Sequence, residues 1–164
     1  MSTRYDASIT TPHDDWERER LAAAGPTSWV NPVPDAPYQL VILGAGSAGL
    51  AAAEAAAALG ARVALVERHL LGGTCFNTGC VPSKSLLRSA AVYAQMRDAA
   101  RYGARPPAAV TVDFAAAMAR LRHIRSHLAG TVSVRHLAPA LEGMRVRVDG
   151  FSKIMASVRS SSGQ

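Results

Sequence analysis

Tyr38-Gln39-Leu40-Val41-Ile42-Leu43-Gly44-Ala45-Gly46-Ser47-Ala48-Gly49 decides the fold. Its first half is an apolar, partly β-branched run that ends at glycine, the pattern of a strand buried in a parallel sheet. Its second half is Gly-x-Gly-x-x-Gly, and an Ala-rich helical stretch follows to Leu59, with Gly60 as its stop. Arg62-Val63-Ala64-Leu65-Val66-Glu67 reads as the next strand, and Glu67 falls eighteen residues beyond Gly49. Alone, three spaced glycines say little. Between two strands, at a helix start and with an acid closing the second strand, they form a dinucleotide-binding fingerprint. Gly44 permits the tight turn, Gly46 lets backbone approach a pyrophosphate, and Gly49 lets helix pack on strand. The helix N-terminus then meets the phosphates, and Glu67 is placed to accept hydrogen bonds from an adenosine ribose. A tight βα turn without ligand is the bland alternative. The motif by itself does not separate FAD from NAD(P).

The chain's two cysteines lie just downstream, in Leu71-Gly72-Gly73-Thr74-Cys75-Phe76-Asn77-Thr78-Gly79-Cys80-Val81-Pro82-Ser83-Lys84. Residues five apart in an unbroken helix are separated by about 7.5 Å along its axis, whereas a disulfide needs Cα atoms about 4.4–6.8 Å apart. A bond between Cys75 and Cys80 therefore requires non-helical backbone between them. Gly79 offers it, through positive φ or close approach. Gly72 and Gly73 allow a sharp turn ahead of Cys75, and Thr74 or Asn77 is a candidate cap for a helix starting around Thr78. A thiol at such a helix start has its pKa lowered, and Lys84 adds positive charge if the fold brings it near. The residues point to a redox-active dithiol. Inert buried thiols are the base-rate alternative, and half a zinc site is another. The histidines, His69, His123, His127 and His136 among them, offer no second ligand pair at finger spacing.

Gly72-Gly73-Thr74-Cys75, Asn77, Gly79-Cys80 and Pro82-Ser83-Lys84 together resemble the active-site segment of the FAD-dependent pyridine nucleotide–disulfide oxidoreductases. With Trp29-Val30-Asn31-Pro32 and Ser85-Leu86-Leu87-Arg88-Ser89-Ala90, the chain is most similar to members of the mercuric reductase and dihydrolipoamide dehydrogenase type. The resemblance implies an α/β fold, a Rossmann-like FAD-binding βαβ unit with an incomplete sheet. It implies FAD as cofactor, with contacts from Gly44, Gly46, Ser47, Ala48, Gly49, Glu67, Arg68, Gly73, Thr74 and Lys84. Cys75 resembles the interchange thiol that meets the external substrate, Cys80 the thiol nearest the flavin, and Lys84 the lysine beside flavin N5. The implied reaction carries hydride from NAD(P)H to FAD, opens the Cys75–Cys80 disulfide, and reduces a small-molecule disulfide or thiol-bound Hg(II). Full-length members are expected to be homodimers.

The likeness spans about residues 26–130. No second Gly-x-Gly-x-x-Gly for NAD(P)H, no later Gly-Asp segment and no His-Glu pair follow. The expected organisation is thus an extended arm at 1–37, a partial FAD-binding domain with its redox-disulfide helix at 38–130, and an unassigned tail at 131–164, non-native in a truncated chain. The alternative to an enzyme or enzyme fragment is a non-catalytic remnant that at most binds the ADP part of FAD.

Composition agrees with a globular domain: 49 % hydrophobic and 18 % charged residues over 164 positions. Aromatics are only 5 %, so core contacts rest on small side chains. The net charge of +6 reads as a solvated basic face that also favours a pyrophosphate, not as a nucleic-acid surface. The N-terminal residues lack the apolar core of a leader, and the run from Leu50 to Leu59 is short for a membrane span and broken by Glu54. A soluble, cytoplasmic protein without a metal site is expected.

Elsewhere, residues 14–24 suggest a short charged helix, and the prolines after it rule out regular structure. A helix is expected from Cys80 to about Arg101, broken at Gly103. Asp113 would cap another, with a core stripe of Phe114, Met118, Leu121, Ile124 and Leu128 and with Arg120, Arg122 and Arg125 largely off it. His123 and His127 are expected to be a solvated pair. Arg145-Val146-Arg147-Val148 alternates like an edge strand.

Overall fold

The computed structural model describes residues 14–31, 37–105, 108–137, 139 and 145–146. The two apolar runs pair as parallel strands, β1 (Leu40–Leu43) and β2 (Val63–Glu67), in a register that runs from Leu40 opposite Val63 to Leu43 opposite Val66. Parallel neighbours need a crossover, and α2 (Ser47–Ala58) supplies it. The two-residue strand β3 (Arg145–Val146) lies parallel on the far side of β2, giving the order β1-β2-β3. The expected edge strand is therefore present at its first two positions, and Arg147 and Val148 fall outside the described residues. This is the expected α/β class, an incomplete Rossmann-like βαβ unit.

Ala45, Leu50, Ala53, Val63, Leu65, Leu70 and Leu71 form the core, joined by Ala24, Val132 and Leu137. The small residues let α2 lie close on the sheet. Gly49 is the tightest point, because a Cβ there would sit 1.9 Å from the Gly44 carbonyl oxygen. That is the packing role expected of the third glycine. Leu65, Leu71, Leu137 and Val63 are the largest fully buried side chains, each worth about 1.5–3 kcal/mol of hydrophobic stabilisation.

The short charged helix is α1 (Asp15–Ala24), with Asp14 as N-cap accepting the Glu17 N–H at 2.9 Å. Within the segment expected as an arm, α1 is packed into the body, with Glu17, Arg20 and Ala24 buried. Its partner is α5 (Phe114–Ala129), capped as expected by Asp113 through the Ala116 N–H at 2.9 Å. Two expectations for α5 change. Phe114 is 61 % exposed, so the core stripe is carried by Leu121 and its half-buried neighbours. Arg122 and Arg125 are nearly covered, since Arg122 pairs with Asp14 and Arg125 lies 3.8 Å from Glu17. The acidic face of α1 meets the basic face of α5, and Ser126 donates to Glu19 at 2.8 Å. His123 and His127 are both exposed, as expected, and the His123 ring also lies tilted against Trp16 with centroids 4.3 Å apart.

Between β2 and α5 come a short helix, α3 (Gly73–Asn77), and the long helix α4 (Cys80–Asp98). A 3-10 turn over Ala99–Tyr102 extends α4 to Gly103, whose φ of 78° ends it close to the expected position. After α5, a 3-10 turn (Gly130–Val132) and α6 (Val134–Leu137) bring Val132 and Leu137 into the core. Most of the segment expected as an unassigned tail lies outside the described residues.

Candidate active site

Two glycine loops touch, and the site is built where they meet. In the first, Gly44 has φ of 99° and donates its N–H to the Val66 carbonyl at 2.7 Å. The Ala45 N–H donates to Glu67 Oε2 at 2.8 Å, and the Ala45 carbonyl accepts the Gly72 N–H at 2.8 Å. That last bond ties the first loop to the second, in which Gly72 and Gly73 both have positive φ, at 88° and 57°. A Cβ on Gly73 would lie 2.8 Å from Gly46 Cα, so only glycine lets the loops approach this closely.

Gly46 itself faces open space. A Cβ there would meet nothing nearer than Gly73 Cα at 4.0 Å, so no packing inside the chain demands glycine at this position. The helix α2 begins directly after it with no side-chain cap and no acid in its first turn. Its leading N–H groups therefore face an open cradle suited to an anion. Gly44, Ser47 and Ala48 are exposed around that cradle, which lies at the carboxyl end of β1, where open α/β sheets take ligands. These residues fit the pyrophosphate of a dinucleotide.

Glu67 is buried, at 8 % exposure, and both its oxygens are engaged: Oε2 with the Ala45 N–H and Oε1 with the His69 N–H, each at 2.8 Å. Its visible work is to hold the first loop to the end of β2. Arg68, next in the chain, is exposed.

Cys75 sits within α3 and is half-buried, whereas Cys80 is the first residue of α4 and exposed; both are free thiols. Thr78 and Gly79 between them are non-helical, as the spacing requires. Gly79 has φ of −114°, so its value is close approach: a Cβ would lie 3.0 Å from the Thr74 carbonyl oxygen, which already accepts the Gly79 N–H at 2.6 Å. The helix starts at Cys80, as the pattern from Cys80 to Arg101 has it and two residues beyond the start expected around Thr78, and the expected cap differs. α4 begins at Cys80 with Gly79 as N-cap and no side-chain cap, because Asn77 turns inward instead. Thr74 is exposed.

The two thiols polarise one another. Cys75 is held below its ordinary pKa by a hydrogen bond from the Cys80 thiol and by another from the Ser47 hydroxyl, with the Lys84 charge assisting. Cys80 is pushed up, first because its proton is held on Cys75 and then by the negative charge that Cys75 carries. Cys80 is thus raised although it stands at a helix start, because its hydrogen bond to Cys75 and the Cys75 charge outweigh what lowers it. Lys84 is exposed one turn further along α4 and lowers both thiols by its charge.

Sequence reasoning assigned Ser47 to the cofactor alone, and the structure adds its bond to Cys75. It missed Arg20 and Glu17 altogether. Their signal was the acidic run of α1 set against the arginines of α5, complementary in charge but more than a hundred residues apart.

A glycine loop on a parallel strand pair, with both cysteines on the segment packed against it, makes this an incomplete Rossmann-like α/β unit. Residues 38–149 match the sequence profile of the family described as pyridine nucleotide-disulphide oxidoreductase, and the chain belongs to that family. It is 45 % identical over 96 residues to a dihydrolipoyl dehydrogenase of Bacillus subtilis, covering 58 % of this chain and 20 % of that protein. Against a mercuric reductase of Serratia marcescens it is 43 % identical over 76 residues, covering 46 % of this chain and 16 % of that one. Among solved structures it resembles a Cu(II) complex of the HOCl-induced flavoprotein disulfide reductase RclA from Escherichia coli. That match has a TM-score of 0.50 and 31 % identity, and covers 68 % of this chain and 21 % of the other. The chain thus spans about a fifth of the length of these relatives. Among the described residues, no helix is long and apolar enough to cross a membrane, and no group of three or more His, Cys, Asp or Glu is placed to hold a metal ion.

Proposed function

We propose that this chain supplies the ADP cradle and the redox dithiol of an FAD-dependent NAD(P)H:disulfide or mercuric-ion oxidoreductase of the cytoplasm. Residues 38–130 would form the cofactor-binding part and residues 1–37 an arm before it. One observation carries the reading: Gly73, two residues before Cys75, meets Gly46 of the first loop backbone to backbone, which sets the glycine cradle and the thiol segment side by side.

Bound FAD would supply the two-electron link between reduced nicotinamide and the dithiol. Gly44, Gly46, Ser47, Ala48 and Gly49 would hold its pyrophosphate, with Glu67 and Arg68 towards the adenosine and Gly73, Thr74 and Lys84 towards the reacting end. Two electrons and two protons convert the Cys75–Cys80 disulfide to the dithiol. The Cys75 thiolate, stabilised by Ser47 and Cys80, attacks one sulfur of an external disulfide. That S–S bond breaks, a mixed disulfide forms, and the leaving thiolate takes a proton. Cys80 then loses its proton and attacks Cys75, which releases the second substrate thiol and restores the internal disulfide. Thiol-bound Hg(II) would be met by the same thiolate.

Two measurements test this. FAD should bind and FMN, which lacks the ADP moiety, should bind more weakly. Gly46→Val should weaken FAD at least about tenfold, or about 1.4 kcal/mol, by filling the cradle. Equal affinity of wild type and variant would remove the glycine loop from the argument. Because the Cys75 pKa is lowered and the Cys80 pKa raised, Cys75 should alkylate at lower pH than an ordinary cysteine and ahead of Cys80. Equal labelling, or failure to form the internal disulfide under mild oxidant, would mark inert thiols.

A second reading concerns these 164 residues in isolation: a non-catalytic unit that binds only the ADP part of FAD. The exposure of Leu40, Val41 and Leu43 on β1 favours it, since a doubly wound sheet covers that strand. Purified chain should then show no NADPH oxidation that depends on Cys75.

A further inference from the structure

The short helix that carries Cys75 cannot stand by itself. α3 has five residues, no side-chain cap and no buried residue, and one helical turn is unstable without tertiary support. Its support comes from Asn77. The Asn77 Nδ2 donates to the Leu71 carbonyl at 3.0 Å and to the Gly73 carbonyl at 2.9 Å, closing a bracket around the loop that holds Cys75. The remaining Asn77 oxygen accepts a hydrogen bond from Arg20 Nη1 at 2.5 Å.

Arg20 is 4 % exposed and comes from α1, 57 residues earlier in the chain. Its other nitrogens are taken by Glu17, itself 3 % exposed, through Nε at 2.9 Å and through Nη2. Arg125 of α5 stands 3.8 Å from the same Glu17 carboxylate. A guanidinium is planar and rigid, so a fork fixed on one side by a carboxylate holds its third corner at a defined point. α1 grips the same loop a second time, since the Ala24 carbonyl accepts the Leu71 N–H at 2.8 Å. Burying two charged groups, with a third nearly covered, to hold one neutral amide is costly by comparison with an apolar contact. The arrangement fixes a position in a way an apolar contact does not.

We propose that Arg20, oriented by Glu17, is a positioning residue for the redox dithiol, acting through Asn77 to set where the Cys75 segment stands relative to Cys80. The inference rests on the dithiol reading above and adds the element that aims it.

The test uses the whole 164-residue chain. The Cys75–Cys80 pair is equilibrated with glutathione buffers and its oxidised fraction read by mass spectrometry, and the pH profile of Cys75 alkylation is recorded alongside. Arg20→Lys keeps the charge but cannot span Glu17 and Asn77 together. It should shift the equilibrium constant about threefold or more, the scale of coupling within one hydrogen-bonded network. Asn77→Ala should shift it in the same direction, and the double variant should move no further than the larger single change. Arg122→Ala, which removes the ion pair to Asp14, should leave the equilibrium at the wild-type value. Folded Arg20→Lys with wild-type equilibrium and alkylation profile would overturn the proposal, as would additive shifts or an equal shift from Arg122→Ala. Hydrogen exchange on the wild type decides the matter even if the variants do not fold. The Thr78 and Gly79 amides should be protected in step with those of α1, and loop amides that exchange independently of α1 overturn it. A wild-type pair that never forms a disulfide would instead remove the dithiol reading, which the exchange data do not depend on.

Discussion

β1 and β2 are near-equal apolar strands in sequence and opposites in structure. All five residues of β2 are buried, whereas Leu40, Val41 and Leu43 of β1 are 37 %, 40 % and 49 % exposed. The difference comes from neighbours. β2 has a strand on each side, and the core residues of α2, α1 and α6 lie over it, while β1 pairs with β2 alone among the described residues. Hydrophobic patterning therefore tells that a strand is meant for a covered sheet, and the amount of cover depends on the partners present. In the doubly wound order the first strand is interior, so the open flank of β1 is where further strands would join.

Paired truncations break or confirm this contrast most directly. Leu65→Ala in β2 empties a fully buried site and should cost about 2–5 kcal/mol. Leu43→Ala in β1 should cost about 1 kcal/mol or less, because half of that side chain is already in water. Urea unfolding of the two variants measures both. Similar losses would mean that β1 is covered in solution, by self-association or by residues outside those described.

A smaller effect sharpens the comparison at the one place where β1 is tightly packed. Gly49→Ala forces a Cβ against the Gly44 carbonyl, and overpacking of this kind costs about 1–3 kcal/mol. Gly60→Ala, where a Cβ meets nothing but φ is 82°, should cost about 1 kcal/mol through backbone conformation alone. Equal midpoints for the two would place the helix further from the strand end than the structure has it.

What the sequence made legible follows the range of each interaction. The glycine loop, the strand pair and the crossover helix are local, and their spacing was enough to read them. Gly49 and Gly79 were legible as places of close approach for the same reason. The cap of α4 was not, because Asn77, a good cap by type, is drawn inward by Arg20 and the Leu71 and Gly73 carbonyls. Nor was the part of Ser47, which adds to Cys80 in lowering the Cys75 thiol. Arg122 and Arg125 read only as lying off the apolar stripe because the helix that covers them is far away in the chain. Periodicity reports that a face is polar; it does not report that another polar face is waiting for it.

The smallest effect concerns that second face, where α1 packs on α5. Asp14 caps α1 and pairs with Arg122 of α5. Desolvation pushes its carboxyl up, but the Glu17 N–H and the Arg122 guanidinium together outweigh that and hold it below its ordinary value. A carboxyl whose folded pKa is depressed adds stability above its unfolded pKa, and that stability is lost as pH falls through the folded value. Asp14→Ala removes cap and charge together and should cost about 1 kcal/mol at neutral pH. Asp14→Asn keeps the cap and removes only the charge, so it should cost less than that. Its deficit against wild type should be constant through neutral pH and should shrink below about pH 4, near the unfolded carboxylate pKa, as the wild-type carboxyl takes up its proton. Other acids titrate alike in both proteins and cancel in the difference. A deficit that stays unchanged down to pH 3 or so would show that Arg122 contributes nothing through charge, leaving α1 held on α5 by its cap and its buried contacts alone.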